Sequence, residues 1–264
     1  MKITVIHGQG HKGITYKITK TVLEFLADAD DEINEFFLPK DGPSFCVGCN
    51  TCFMKGEEFC PGADKVQPIM KSMEESEIII LDSPNYVMEM SGNMKNLMDH
   101  FAYRWITHRP HANMFKKVGL TISSSAGAPP SNTVKSMAKQ LKWMGVPKVY
   151  KFTLISNALN ISTISSKKEA ELKQKAEKIA SKVKRRANNP HASLKGKIMF
   201  YIKSRGRKIN LRNDNVFTRC PVCGREHAVD IVETFRGGFA DLYGTSVYCP
   251  ECAANLVRVT REEK

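Results

Sequence analysis

No apolar run in this 264-residue sequence reaches the roughly 20 residues that a bilayer-spanning helix requires, so no membrane span is expected. No repeat recurs beyond two paired Cys-x2-Cys motifs and no low-complexity tract interrupts the chain, which argues against repeat architectures. The opening residues Met1-Lys2-Ile3-Thr4-Val5-Ile6 read as a β-strand entering a glycine turn, without the apolar core and small-residue cleavage site of an export signal. A soluble protein of a reducing cytoplasm is therefore expected. With 42% apolar residues the chain can bury one or two ordinary cores and has no need of the disulfides that staple small secreted domains.

Nor does any cysteine stand alone. All eight fall into two groups of four, Cys46-x2-Cys49-x2-Cys52-x7-Cys60 and Cys220-x2-Cys223 with Cys249-x2-Cys252. Thiolates are soft ligands for iron–sulfur clusters, zinc or a single iron, and a four-coordinate centre takes four of them. Two metal centres are expected, and the different spacings predict different metals.

Through the first 160 residues, short β-branched or apolar runs alternate with longer amphipathic ones. Strands are expected at 2–7, 33–38, 77–81, 117–123 and 148–155, with helix-length stretches such as 14–26 and 94–105 between them. That alternation predicts an α/β fold, a doubly wound five-stranded parallel sheet covered on both faces. The run Ile78-Ile79-Ile80-Leu81 is apolar without alternation, as a central parallel strand requires.

From Ser165 a long helix is expected, with Leu172, Ala176, Ile179 and Val183 on one apolar face and Asn188-Asn189-Pro190 ending it. Residues 167–212 hold sixteen Lys/Arg against three Glu, an excess of +13 that equals the charge of the whole chain. Such a run suits nucleic acid, an anionic membrane surface or an acidic partner; it equally suits a solvated helix face followed by a connector. Its most concentrated part sets Lys195, Lys197, Lys203, Arg205, Arg207, Lys208 and Arg212 around the apolar residues 198–202. Only Phe200 and Tyr201 supply rings there, which is sparse for a nucleic-acid surface. The expected domains are 1–187 for the sheet, 188–215 as a basic connector and 216–264 as a small metal-binding ribbon.

Three loops stand at strand ends. Gly8-Gln9-Gly10-His11-Lys12-Gly13-Ile14-Thr15 follows the first strand and leads into a helix; its backbone N–H groups, Lys12 and the Thr15 hydroxyl suit a phosphate. Its spacing is neither that of a dinucleotide fingerprint nor that of a P-loop. The third strand ends in Ser83-Pro84-Asn85-Tyr86-Val87-Met88 and the fourth in Ser123-Ser124-Ser125-Ala126-Gly127. In a doubly wound sheet all three emerge at the carboxyl edge and converge on one crevice.

With these loops the sequence resembles the flavodoxin-like NAD(P)H-dependent FMN reductases, in particular the iron–sulfur flavoproteins. Ser83, Pro84, Tyr86, Ser91, Met94, Lys95 and Asp99 match the family's S-P-x-Y and S-x-x-M/L-K-x-x-x-D-R pattern, with His100 where the family has Arg. Gly8 and Thr15 match its phosphate loop, while Gln9, His11 and Ile14 depart from it. The resemblance covers about residues 1–160. It implies FMN bound by Gly8, Gln9, His11, Lys12 and Thr15 at the phosphate, with Pro84, Asn85, Tyr86, Val87 and Met88 along the ring and Ser124, Ser125, Ala126 and Gly127 closing another side. No catalytic acid or base is assigned; His11, Tyr86 and His100 are candidates for local electrostatics.

The compact Cys46–Cys49–Cys52 loop with Cys60 beyond it suits the corners of a cubane, and the resemblance implies a [4Fe-4S] cluster there. Zinc, or no metal, are the other readings. The second group forms two CPxC knuckles 25 residues apart, a tetrahedral S4 site for zinc or for a rubredoxin-like iron. Rubredoxins carry glycine and an aromatic residue after their knuckles, whereas Gly224-Arg225 and Ala253-Ala254 stand here, which favours a zinc ribbon. The expected activity is an FMN-dependent oxidoreductase or electron carrier with NAD(P)H or ferredoxin as donor, a quinone, oxygen species or protein as acceptor, and a homo-oligomeric state. The alternative is a nucleic-acid-binding or assembly protein that uses the basic segment and the ribbon.

Overall fold

The computed structural model describes residues 1–106 and 108–190, together with two short strands at 217–219 and 226–228. In chain order the first part runs β1 (Lys2–His7), α1 (Ile14–Leu26), β2 (Glu32–Phe37), α2 (Thr51–Met54), α3 (Ala63–Glu75), β3 (Ile78–Pro84), α4 (Gly92–His100), β4 (Val118–Ser125), α5 (Ser131–Trp143), β5 (Lys148–Ile155) and α6 (Ser166–Asn188). The strands pair in parallel in the order β2-β1-β3-β4-β5, the flavodoxin-like arrangement, with the expected five strands in place.

Every residue of β3 is buried, as its unbroken apolar run predicts. Successive side chains point to opposite faces. Ile78 and Ile80 enter the core beneath α1 and α6 with Ile3, Val5 and Leu120. Ile79 and Leu81 enter the other core with Ile69, Leu97 and Met137 of α3, α4 and α5. A fully buried aliphatic side chain contributes about 1.5–3 kcal/mol, so both faces of the central strand hold the layers together.

Two expectations shift. The stretch 94–105 is not one helix: α4 ends at His100, and a separate 3-10 turn covers Ala102–Arg104. Phe101 and Tyr103 are both buried, and Arg104 pairs with Glu57 at 3.1 Å and Glu74 at 2.8 Å, so the apolar spacing belongs to two elements. On α6 the buried face is Leu172, Ala176, Ala180, Val183 and Ala187, with Ile179 only partly buried at its margin. Its polar side is a solvated face, where Lys168 and Lys175 clasp Glu171 at 2.7 and 2.6 Å and Lys184 reaches Asp28 at 2.6 Å.

Met1–Ile198 and Met199–Lys264 form separate compact units. In the second, β6 (Phe217–Arg219) and β7 (Glu226–Ala228) pair antiparallel, with Arg219 opposite Glu226. Cys220 and Cys223 lie in the six-residue connection between them; these two, Cys249, Cys252 and the basic stretch after Pro190 lie outside the described residues.

At the amino edge of the sheet, Lys117 is 5% exposed and donates to the carbonyl oxygens of Glu74, at 2.8 Å, and Ser76. These are acceptors left over at the end of α3. Burial pushes the Lys117 pKa down to about 8, against the opposing pull of Glu77, Glu74 and Glu75. Between that value and the ordinary value of 10.5 the unfolded chain binds more protons, so this group makes stability rise with pH across that window. Urea unfolding of the wild type and Lys117→Met at pH 8 and pH 10 is expected to show the wild type gaining about 1–2 kcal/mol on the variant. Parallel behaviour of the two proteins would count against the depressed value.

Candidate functional site

A cleft of about 780 Å³ opens at the carboxyl edge of the sheet, within the range typical of ligand pockets. Gln9, His11, Lys12 and Thr15 line it from the loop after β1, Pro84, Asn85 and Tyr86 from the loop after β3, and Ser124, Ser125 and Ala126 from the loop after β4. The three loops therefore meet. The Thr15 and Ser124 hydroxyls lie 2.7 Å apart and lock the first loop to the third.

Gly8 sits beneath the wall. Its N–H donates to the Asp82 carbonyl at 2.7 Å, and its own carbonyl accepts from the Ser91 hydroxyl at 2.5 Å. A β-carbon at this position would lie 2.9 Å from both partners, so the close approach needs glycine. Under the same loop the His7 Nδ1–H donates to Asp82 Oδ2 at 2.6 Å, and the Thr19 hydroxyl donates to the same oxygen at 2.6 Å.

Val87, Met88 and Gly127 do not line the cleft. Tyr86 and Glu89 exchange backbone hydrogen bonds at 3.0 and 2.9 Å, closing a two-residue hairpin turn with Val87 at φ 49° and Met88 at φ 65°. Two left-handed residues in succession define a turn that favours Asn-Gly, and a β-branched residue there is strained. Val87 is 99% exposed at its tip. The Asn132 side chain fastens the turn to α5, donating to the Met88 carbonyl and Glu89 Oε2, each at 3.1 Å.

Sequence reasoning missed a fourth wall. Ser156, Ala158, Leu159, Asn160, Ile161 and Ser162 follow β5 and line the same cleft. The signal was topological, since in a parallel sheet the loop after β5 also emerges at the carboxyl edge.

The first cysteine group lies on the connection between β2 and α3, with Cys46 and Cys49 exposed and Cys52 and Cys60 half-buried. Among the described residues, no three His, Cys, Asp or Glu side chains converge on a single-ion site. At Cys52, burial and the neighbouring Cys60, Cys49 and Cys46 push the thiol up to about 11, with Arg109 opposing. Burial also resists ionisation at Cys49, but the hydrogen bonds from the Thr51 hydroxyl and backbone outweigh it and hold that thiol below its ordinary value.

Protein contacts fix the loop that carries these thiols. Asn96 on α4 accepts from the Cys46 N–H at 2.9 Å and donates to the carbonyls of Pro43 and Ser44 at 3.0 and 3.2 Å. His100, at the other end of α4, donates from Nε2 to the Ser44 carbonyl at 3.0 Å and sets Nδ1 3.5 Å from the Cys60 sulfur. Arg109 donates to the Cys52 carbonyl and pairs with Glu57 at 3.0 Å. Asn96, Glu57, Arg104 and Arg109 carry no motif; only the fold brings them to the cysteines.

The family model for NADPH-dependent FMN reductases matches residues 1–160. The chain is 29% identical over 212 residues to an iron–sulfur flavoprotein of Archaeoglobus fulgidus, covering 78% of this chain and 93% of the relative. It is 41% identical over 76 residues to an iron–sulfur flavoprotein of Methanocaldococcus jannaschii, covering 29% of this chain and 33% of that one. Among solved structures, an FMN-dependent NADH-azoreductase of Bacillus anthracis in complex with FMN superposes with a TM-score of 0.53 at 14% identity, over 70% of this chain and all of that one. Five parallel strands in flavodoxin-like order, a four-walled cleft at their carboxyl ends and a family match spanning most of the chain lead to one assignment: the protein belongs to the NADPH-dependent FMN reductase family and is an oxidoreductase.

Proposed function

We propose that the chain is an FMN-dependent oxidoreductase or electron-transfer flavoprotein in which the cleft holds FMN and Cys46, Cys49, Cys52 and Cys60 hold a [4Fe-4S] cluster. One observation carries the reading: α4 joins the two sites. Its cap residue Ser91 bonds to Gly8 in the first cleft loop, while Asn96 and His100 hold the cysteine loop. From Ser91 to His100 the helix rises about 13.5 Å, so a nine-residue element sets the spacing between cleft and thiols.

The residues suit both groups. Gln9, Thr15 and the free N–H groups of the first turn of α1 offer donors to a phosphate, with the helix dipole behind them. Pro84, Asn85 and Tyr86 line the cleft beside Ser124, Ser125 and Ala126, with the Asn85 N–H bonded to the Ser124 carbonyl at 3.1 Å, and together they would border a flat ring. At Cys52, burial and the three neighbouring cysteines resist ionisation, a condition that bound iron would relieve because a cation stabilises a thiolate. FMN exchanges a hydride or single electrons and a cluster passes one electron at a time, so together they convert between two-electron and one-electron carriers. The protein binds, orients and shields. No side chain is assigned as acid or base.

The donor on this reading is NAD(P)H or ferredoxin, and the acceptor is a small molecule or a protein. A second copy of the chain covers the apolar residues around the thiols, since Phe45, Val47 and Phe59 are 74%, 80% and 58% exposed. Cys220, Cys223, Cys249 and Cys252 hold zinc, with rubredoxin-type iron the other occupant of such a site. The hairpin of β6 and β7 around the first knuckle supports a ribbon.

Anaerobic purification followed by flavin, iron, sulfide and zinc analysis is expected to give about one FMN, four iron, four sulfide and one zinc per chain. Colourless protein with two zinc and no flavin would overturn the redox reading. Asn96→Ala releases the Cys46 end of the loop, and iron per chain is expected to fall by at least half while FMN stays; equal loss of both would refute the separate anchoring. Replacing Val87-Met88 by Asn-Gly relieves the strained turn and is expected to stabilise the flavin-free protein by about 1–2 kcal/mol. The same change is expected to weaken FMN binding measurably, and unchanged melting and unchanged affinity would show that the turn stores nothing for the cofactor.

A further inference from the structure

A line of alternating charge runs beneath the first cleft loop. His7, the last residue of β1, is 1% exposed, and Asp82, directly across on β3, is fully buried. His7 Nδ1 lies 2.6 Å from Asp82 Oδ2, and Nε2 lies 3.5 Å from Glu35 Oε1 on β2. Lys20 on α1 reaches that same Glu35 oxygen at 3.3 Å. Nδ1 donates to Asp82, while Nε2 makes no hydrogen bond and faces the Glu35 carboxylate at 3.5 Å, so a carboxylate stands beside each nitrogen and their charges favour the imidazolium. Burial opposes that charge, yet the hydrogen bond to Asp82 and the charges of Asp82 and Glu35 prevail and hold the His7 pKa above its ordinary value. Phe37 stacks on the ring at 4.4 Å and Tyr16 tilts against it at 5.3 Å, so it has little freedom to turn away.

The placement matters because of what lies above. Gly8 follows His7, and its N–H is bonded to the backbone of Asp82. The loop that offers donors to a phosphate is thus built on a buried carboxylate. One Asp82 oxygen takes the bonds from His7 and Thr19, and the other has no hydrogen-bond partner. A bare carboxylate there, away from water and salt, would repel an anion in the loop.

We propose that His7 is a positioning residue for the phosphate of the flavin: by neutralising Asp82 beneath the loop it lets the loop accept an anion, and so makes the cleft prefer FMN to the uncharged riboflavin. The proposal rests on the FMN reading of the cleft. The titratable groups around the pair are Glu35 on β2, Lys20 and Tyr16 on α1, and His11 and Lys12 on the loop itself, where Lys12 lies 5.4 Å over the Tyr16 ring.

The test is the affinity of full-length protein, freed of flavin by dialysis, for FMN and for riboflavin by fluorescence quenching at pH 7.5. His7→Gln is expected to weaken FMN roughly tenfold, from one uncompensated buried charge beneath the loop, while riboflavin changes by less than about twofold. Adding Asp82→Asn to that variant is expected to restore FMN to within about threefold of the wild type, since the repelling charge is gone. Should His7→Gln fail to fold, the wild type and Asp82→Asn still decide the matter in a pH series carried upward from the ordinary imidazole value of 6.5. Wild-type affinity for FMN falls as His7 loses its proton, and Asp82→Asn flattens that fall. Parallel losses of FMN and riboflavin, or an unchanged fall in Asp82→Asn, would overturn the proposal and leave the flavin reading standing. Wild type that binds neither flavin would overturn both.

Discussion

The contact on which the rest of the site depends is the clamp around Gly8. Its N–H reaches the Asp82 carbonyl and its carbonyl takes the Ser91 hydroxyl, so a single residue without a side chain joins the end of β1, the end of β3 and the start of α4. Each partner has a second task. Asp82 answers His7 and Thr19 through its side chain, and Ser91 caps α4 by accepting from the Met94 N–H at 3.2 Å. Any side chain at Gly8 would push these groups apart, and the first cleft loop, the loop after β3 and the helix carrying the cysteine loop would all lose their common reference. Local sterics at one position thereby reach two sites.

The geometry also separates two kinds of electrostatic work. Beneath the cleft a buried pair, Asp82 and His7, leads to partly exposed Glu35 and Lys20, the four alternating in sign from the core to the surface of α1. Around the thiols the charges are partly exposed and bidentate, Glu57 receiving both Arg104 and Arg109, with Arg104 also on Glu74. The buried Asp82–His7 pair is little screened by water or salt, which is what would let it act on an anion bound above it. The value of this second, half-buried network is positional: it fixes the 57–60 segment relative to Tyr103 and α3.

Much of this was legible in the residues. The unbroken run at 78–81 announced a central strand, the Gly8 loop and the Ser83-Pro84 turn announced the carboxyl edge, and alternation alone implied the parallel sheet. What could not be read depends on distance in the chain. Asn96 and Cys46 are fifty residues apart, and Arg109 and Cys52 fifty-seven, so no spacing pattern links them. The break after His100 was hidden because its apolar residues keep a helical rhythm while serving two elements. On α6 the periodicity was correct, but Ala180 and Ile179 are neighbours and only packing against α1 decides which of them faces inward.

With metal bound as proposed, the two cysteine groups would depend on it in different ways. The first is held by Asn96, His100, Arg109 and Glu57, all anchored to a sheet domain with two full cores, so that domain does not need its thiols filled in order to fold. The second lies by a hairpin of two three-residue strands, and a two-stranded ribbon of that length is not stable by itself in water. Zinc on Cys220, Cys223, Cys249 and Cys252 would then contribute directly to folding of its unit. On the proposed reading, stripping metal from the whole protein would therefore separate the roles: the first site would lose redox chemistry while its domain kept its shape, and the second would lose shape without having taken part in the chemistry.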